Sequence, residues 1–353
     1  MTTIESLLNR MLEREASDLH LKVGSPPVLR AHGRLIRMTD QPVLGKPALE
    51  AALAYLADEE QLEAFSRDLE LDFAYETTDG DRFRVNAARQ RGTPYLTLRA
   101  IRSEIPSFKE LDLPAVCGRL ATRPRGLVLV TGPTGCGKST TLAAMIEHAN
   151  QTSARRIVTI EDPIEYLFQD QRSVITQREV GGDTGSFAAA LKYVLRQDPD
   201  VIMVGEMRDL ETISGTLTAA ETGHLVLATL HTPSAPEAVD RMVDVFPAHQ
   251  QAQVRTQLAM TLTGVIAQRL VLRADGQGRL PACEVMLGTS AVRNLIRESK
   301  TPQMVNVMQT GGEHGMQTLH QALRDLYRRQ LITLEEALTH VSDEQVFRRL
   351  LGR

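Results

Sequence analysis

The run Gly132-Pro-Thr-Gly-Cys-Gly-Lys-Ser139 constrains this 353-residue chain more than any other feature. It follows the apolar stretch Gly126-Leu-Val-Leu-Val-Thr131 and precedes a segment, 139–150, with helical periodicity. A glycine-rich turn between a buried strand and a helix is where backbone amides wrap a chain of phosphates. Gly132, Pro133, Thr134, Gly135, Cys136, Gly137, Lys138, Ser139 and Thr140 are therefore expected to hold a nucleotide triphosphate. In such a loop the lysine, here Lys138, reaches the β/γ oxygens and the hydroxyl, here Ser139, ligands Mg2+. A chance glycine-rich turn would not satisfy eight positions in this context. Cys136, a thiol within the loop, reads as a small space-filling residue, with thiol sensitivity as the alternative.

The same strand–helix rhythm continues downstream. Buried strands are predicted at 157–160, 201–204 and 225–230 with helical segments between them, which means an α/β fold with a mainly parallel, doubly wound sheet. Beyond about residue 289, helices near 290–298, 316–329 and 334–340 predict an all-α appendage. The first hundred residues read as a separate small α/β unit, and the length itself favours two domains. A helix is predicted over 4–15, strands over 19–23 and 28–31, and one helix over 49–66. Phe83, Val85 and Ala87 alternate with Arg82, Arg84 and Asn86, and the alternation returns over 95–101 after Gln90-Arg-Gly-Thr-Pro94. That pattern predicts a β-hairpin with an arginine-bearing face. The segment 102–114, with prolines at 106 and 114, reads as the linker.

Hydrolysis needs acids, and the strand ends supply them. Pro199-Asp-Val-Ile-Met-Val-Gly-Glu206 ends in Glu206, a candidate base for polarising an attacking water. Thr159-Ile-Glu-Asp-Pro-Ile-Glu165 adds Glu161 and Asp162 as candidates to hold the metal, although Asp-Pro is also an ordinary turn signal that Glu161 could merely cap. Gly223-His-Leu-Val-Leu-Ala-Thr-Leu-His-Thr232 places His224 at the start of a strand and His231 at its end, where His231 can sense a γ-phosphate. A lone histidine beside an apolar strand is more often structural; a position at the same edge as Lys138 and Glu206 argues for function.

Composition narrows the partners. Apolar residues at 42%, charged residues at 24% and a net charge of -4 describe a globular chain and argue against a general nucleic-acid binder. No stretch approaches the roughly 20 apolar residues of a membrane span. Met1-Thr-Thr-Ile-Glu5 lacks the basic and apolar regions of a secretory signal, so the expected location is the cytoplasm. Cys117, Cys136 and Cys283 have neither disulfide nor zinc-ligand spacing. The charge is unevenly laid out: residues 58–81 hold ten acids and one base, Arg67, whereas 82–102 hold six arginines (82, 84, 89, 91, 99, 102) and no acid. Either the two blocks pair with each other, or the arginines serve something else.

Taken in order, 132–139, Thr159-Ile-Glu-Asp-Pro-Ile-Glu165, Gly205-Glu-Met-Arg-Asp209, Ala220-Glu-Thr-Gly-His224 and Thr229-Leu-His-Thr232 resemble the ATPases of type II secretion and type IV pili. Ala16-Ser-Asp-Leu-His20, Arg82-Phe-Arg-Val-Asn86, Gln177-Arg-Glu-Val180 and Ala291-Val-Arg-Asn-Leu-Ile-Arg-Glu298 place the resemblance in the retraction branch; Val292 stands where isoleucine is more usual. The resemblance covers essentially the whole chain. It implies a PAS-like domain over 1–102, a linker over 103–114 and a RecA-like ATPase domain over 115–353. It also implies a homohexamer that uses ATP and Mg2+ to retract type IV pili. Glu206 then matches the catalytic glutamate, Glu165 the glutamate of the acidic box, and His224 and His231 the histidine box. Arg84 and Arg99 become candidates to reach ATP held by a neighbouring subunit. The implied partners are an inner-membrane platform protein at the pilus base and an accessory paralogue, with peripheral attachment to the inner membrane and no direct nucleic acid.

Three rival readings have distinct marks. An extension or secretion ATPase of this class carries a longer N-terminal region and a tetracysteine zinc site, and this chain has neither. An accessory retraction ATPase shares most of the motifs above. A RecA-like nucleic-acid translocase would need a basic channel and salt-sensitive binding, which the charge layout does not offer.

Overall fold

The computed structural model describes residues 3–31, 34–101, 104–341 and 343–352. Arg102 of the arginine series and the first linker position, 103, lie outside the described residues. The chain divides into two compact units, 1–103 and 104–353.

The first unit begins with α1 (Ile4–Glu13), whose Ile4, Leu7, Leu8 and Met11 form one buried stripe. Strands β1 (Asp18–Lys22), β2 (Val28–Ala31) and β3 (Arg34–Arg37) follow, then helices α2 (Lys46–Leu56) and α3 (Glu59–Asp68). The single helix expected over 49–66 is in fact these two. Asp58 accepts a hydrogen bond from the Gln61 N–H (2.8 Å) while Gln61 Oε1 accepts from the Asp58 N–H (3.0 Å), so a capping box restarts the chain there. Strands β4 (Glu70–Glu76), β5 (Arg82–Gln90) and β6 (Thr93–Ile101) complete an antiparallel sheet of order β3-β2-β1-β6-β5-β4. Strand period decides its faces. Leu19, Leu21, Phe83, Val85, Leu96 and Leu98 are buried in one cluster with the apolar stripes of α1–α3. Burying side chains of this size contributes about 1.5–3 kcal/mol each. The alternate residues, Arg84 and Arg99 among them, therefore project from the opposite face.

The second unit opens with α4 (Val116–Ala121) and the central strand β7 (Gly126–Thr131), then α5 (Lys138–Thr152) and β8 (Arg156–Glu161). It continues through β9 (Val174–Glu179), α6 (Phe187–Val194), β10 (Val201–Val204), α7 (Leu210–Glu221) and β11 (Leu225–Leu230). Next come α8 (Ala235–Asp244), α9 (Ala248–Thr261) and the hairpin β12 (Leu262–Leu272)–β13 (Arg279–Leu287). Helices α10 (Ser290–Arg297), α11 (Met304–Thr310), α12 (Leu319–Arg328), α13 (Leu334–Thr339) and α14 (Glu344–Leu350) end the chain.

The sheet order is β13-β12-β7-β11-β10-β8-β9, parallel throughout except for the β12–β13 pair. Every residue of β7 is buried: Leu127 and Leu129 lie in the cluster with α6–α9, Val128 and Val130 in the cluster with α4 and α5. Apolar residues on both faces demand a helical layer on each side, which is the doubly wound arrangement. Helices α12–α14 pack Leu323, Leu326, Ala337 and Phe347 against Val271, Leu280 and Ala282 of the hairpin. The outer edge of β13 is covered by the chain itself, since Val285 and Gln317 exchange backbone hydrogen bonds of 2.8 and 3.1 Å.

Candidate nucleotide site

The parallel strands β7, β10 and β11 all end at one edge, and the loop 132–137 leaves β7 there. Two glycines are dictated by close approach. A Cβ on Gly132 (φ +142°) would fall 2.3 Å from the Gln268 carbonyl oxygen, and one on Gly137 (φ +89°) 2.9 Å from Gln268 Nε2. Gln268, buried in β12, donates to the Cys136 carbonyl (2.7 Å) and accepts from Thr141 Oγ1 (2.8 Å), so one side chain ties the loop to the first turns of α5. Gly137 caps α5, leaving the N–H groups of its first turn for an anion. Lys138 Nζ donates to the carbonyls of Gly132 (2.9 Å) and Pro133 (3.2 Å) and lies 3.5 Å from His231 Nδ1.

From that lysine a polar chain runs across the strand ends. His231 Nε2 stands 2.9 Å from Glu206 Oε1. A carboxylate only accepts, so Nε2 carries the proton, and Nδ1, facing an ammonium, is left as acceptor. Glu206 also takes both Nε and Nη2 of Arg208, the latter at 2.7 Å. Burial alone would raise the Glu206 carboxyl, but the Arg208 hydrogen bonds, the His231 ring beside it and the charges of Arg208 and Lys138 outweigh that and hold it below the ordinary carboxylate range. It is ionised at neutral pH, as a group that orients water must be. Thr131 Oγ1 accepts from the Thr232 N–H (2.9 Å), joining the ends of β7 and β11 and fixing His231 beside the loop.

The remaining predicted residues are placed differently. Glu161 is buried; it accepts from Thr159 Oγ1 (2.6 Å) and Gln177 Nε2 (3.1 Å), and burial pushes its pKa up to about 7. Its carboxyl is engaged by these two side chains of β8 and β9. Asp162 and Glu165 are exposed on that loop. His224 sits at the opposite end of β11 from His231, its Nδ1 2.9 Å from the Ala219 carbonyl oxygen and 3.2 Å from Thr222 Oγ1. The structure therefore does not bring His224 to the phosphate edge, because the two histidines are separated by the length of the strand.

In the first unit Arg84 and Arg99 are direct cross-strand partners. Arg84 Nε lies 3.8 Å from Asp72, within the acidic block, but Arg99 donates to Asp18 (2.8 Å), outside it. Arg89 stacks over the Phe65 ring at 5.3 Å. Pairing with the acidic block thus accounts for one of these three.

Beside the loop lies a cavity of about 450 Å³. Its walls include His231, Arg269, Leu270, Arg279 and His340. The wall from β12, β13 and the residue that follows α13, and the roles of Gln268 and Arg208, are not predicted from the sequence. The polar pair Gln268-Arg269, following the apolar Val265-Ile-Ala267 and preceding Leu270-Val-Leu272, is the available signal.

The donor set suits Mg2+, an oxygen-seeking ion that keeps several waters: Ser139 stands in the first turn of α5, beside the loop, and Glu206 is an ionised carboxylate at a neighbouring strand end. No group of three or more His, Cys, Asp or Glu among the described residues forms a dedicated metal cage.

A glycine-rich phosphate loop at the edge of a RecA-like parallel sheet, faced by an ionised glutamate and a histidine, defines a P-loop nucleoside triphosphatase. Residues 77–345 match the family described as Type II/IV secretion system protein, and the chain belongs to that family. It is 48% identical over 334 residues to the type IV pilus retraction ATPase PilT of Pseudomonas aeruginosa, covering 95% of this chain and 96% of that protein. To the type IV pilus ATPase PilU of the same organism it is 43% identical over 347 residues, covering 98% and 91%. The crystal structure of the pilus retraction motor PilT with bound ADP superposes with a TM-score of 0.92 at 44% identity, covering 98% of this chain and 99% of that one. Among the described residues no helix is long and apolar enough to cross a membrane.

Proposed function

We propose that this chain is a motor ATPase that hydrolyses ATP to retract type IV pili, working as a homohexamer. The observation that carries the reading is the continuous polar path Lys138–His231–Glu206 at the loop edge, in a chain that is similar to a retraction ATPase over 95% of its length. Lys138 and the amides of α5 hold the phosphates, and Ser139 holds Mg2+ with the help of bound waters. Glu206 accepts a hydrogen bond from the attacking water and aligns it, while His231 links that carboxylate to the lysine on the γ-phosphate. Leu270, Arg269 and Arg279 offer an apolar and cationic wall for the rest of the nucleotide. Arg84 and Arg99 reach a neighbouring subunit's nucleotide, so that hydrolysis is coupled to movement between subunits. The partners are the inner-membrane platform protein at the pilus base and an accessory paralogue, which hold the ring at the inner face of the membrane.

Glu206→Gln is the direct test. Turnover is expected to fall at least about 100-fold with nucleotide affinity retained, measured by phosphate release and nucleotide titration. Unchanged turnover would sink the enzymatic reading. Deleting the gene and imaging labelled pili separates motor directions: excess pili that do not retract support retraction, and loss of pili supports extension. An accessory motor, the reading favoured by the 43% relative, leaves retraction largely intact when deleted alone.

A further inference from the structure

Glu165, the glutamate of the acidic box, is exposed on the segment 162–168, which has no regular helix or strand, yet a group that acts in turnover needs a fixed backbone. The fixing comes from β9, the outermost strand of the sheet, whose residues 177 and 179 point to the same side. Gln177 spends its whole amide on the loop: Nε2 donates to the Tyr166 carbonyl (2.8 Å) and to Glu161 Oε1 (3.1 Å), and Oε1 accepts from the Phe168 N–H (2.9 Å). Glu179 Oε2 accepts from the Ile164 N–H (3.1 Å). The backbone is thus pinned immediately before Glu165, at Ile164, and after it, at Tyr166 and Phe168. Between the pins, Tyr166 Oη lies 2.9 Å from Thr140 Oγ1, one residue beyond Ser139, so the loop is bolted to the first turn of α5.

We propose that Gln177 is a positioning residue of the ATP site, holding the Glu165 loop in register with the phosphate-binding helix. The inference rests on the ATPase reading above and on Glu165 acting in turnover. Glutamine is suited to the place because the loop offers one carbonyl to a donor and one N–H to an acceptor, and Glu161 needs a second donor. Methionine matches its length and supplies neither.

The test is a double-mutant cycle of Gln177→Met and Glu165→Gln in the full chain, reading kcat and KM for ATP. Gln177→Met is expected to lower kcat about tenfold with KM within about twofold, since Lys138 and the helix amides are untouched. In the Glu165→Gln background the same change is expected to cost nothing further. Gln177→Glu is the second variant: it keeps the acceptor for Phe168 but loses both donated bonds, and is also expected to be slow. If Glu165→Gln is slow while both Gln177 variants turn over normally, or if the losses multiply, the positioning inference is overturned and the ATPase reading stands. If the unmodified chain does not hydrolyse ATP, or Glu165→Gln is fully active, the reading beneath it fails in the first case and the role of the loop in the second, and the inference falls with either.

Discussion

At the residue scale, buried polar groups do the organising. Glu284 of β13 is the plainest case: Oε1 accepts from the N–H of Ala235, the first residue of α8, at 2.7 Å, and Oε2 from Leu319, the first of α12, at 3.4 Å. One carboxylate thereby serves the N-terminal ends of two helices. Burial nonetheless dominates and raises its pKa, with those hydrogen bonds and Arg269 pulling the other way. A raised carboxyl pKa means that the folded state binds more protons than the unfolded one between the two values. Stability should therefore fall as pH rises from about 4.5 through the raised value. Glu161, raised to about 7, contributes with the same sign. In urea titrations without nucleotide or Mg2+, Glu284→Gln is expected to flatten that decline without abolishing it; an unchanged slope would refute the assignment. Such groups also mark what could be read from the sequence. Lys138, Ser139 and Glu206 were legible because a phosphate loop and a strand-end acid are local patterns. Gln268 and Arg208 were not, because Gln268 acts on a loop more than a hundred residues away and Arg208 matters only once Glu206 is seen to face it.

At the scale of elements, helix starts set the boundaries. The break between α2 and α3 was written in Asp58-Glu-Glu-Gln61, a capping box inside an otherwise unbroken helical period, and periodicity alone ran through it. Asp58→Ala removes the acceptor for the Gln61 N–H and is expected to destabilise the first unit by about 1 kcal/mol, read as a shift in its denaturation midpoint. A wild-type midpoint would mean that the box is ornamental. Strand β4 was also visible in principle, since Leu71, Phe73 and Tyr75 alternate with acids and alanine. Strand β3 was not: all four residues of Arg34–Arg37 are exposed, so no buried period exists to detect. Sheet order was beyond reach for a related reason. Nothing local says that β12, late in the chain, lies beside β7, yet that adjacency brings Gln268 to the phosphate loop.

For the whole molecule, two units of different character share one chain, and each carries part of the proposed chemistry. The proposal that Arg84 and Arg99 reach a neighbouring subunit's nucleotide makes a specific demand on the first. Arg84→Ala and Arg99→Ala, in purified rings, should each lower ATP turnover at least about tenfold, with the melting of the full chain unaltered. Normal hydrolysis by assembled rings of both variants would remove the arginines from the mechanism. Arg99 calls for a control, because Asp18 is buried and loses a hydrogen-bond partner at 2.8 Å when it is removed. Arg99→Lys, which keeps the charge beside Asp18, separates the two effects.

The strip at Gln317 that closes the edge of β13 carries a lesson for anyone shortening this chain. A version ending just before residue 317 would keep the phosphate loop, Glu206 and His231, and would look complete by motif. It would also expose Val285 and its neighbours as an unpaired strand with an apolar flank that α12–α14 no longer shield. Open edges of that kind recruit other strands. The expected failure of such a fragment is stickiness, with fragments stacking edge to edge, and not loss of the nucleotide fold.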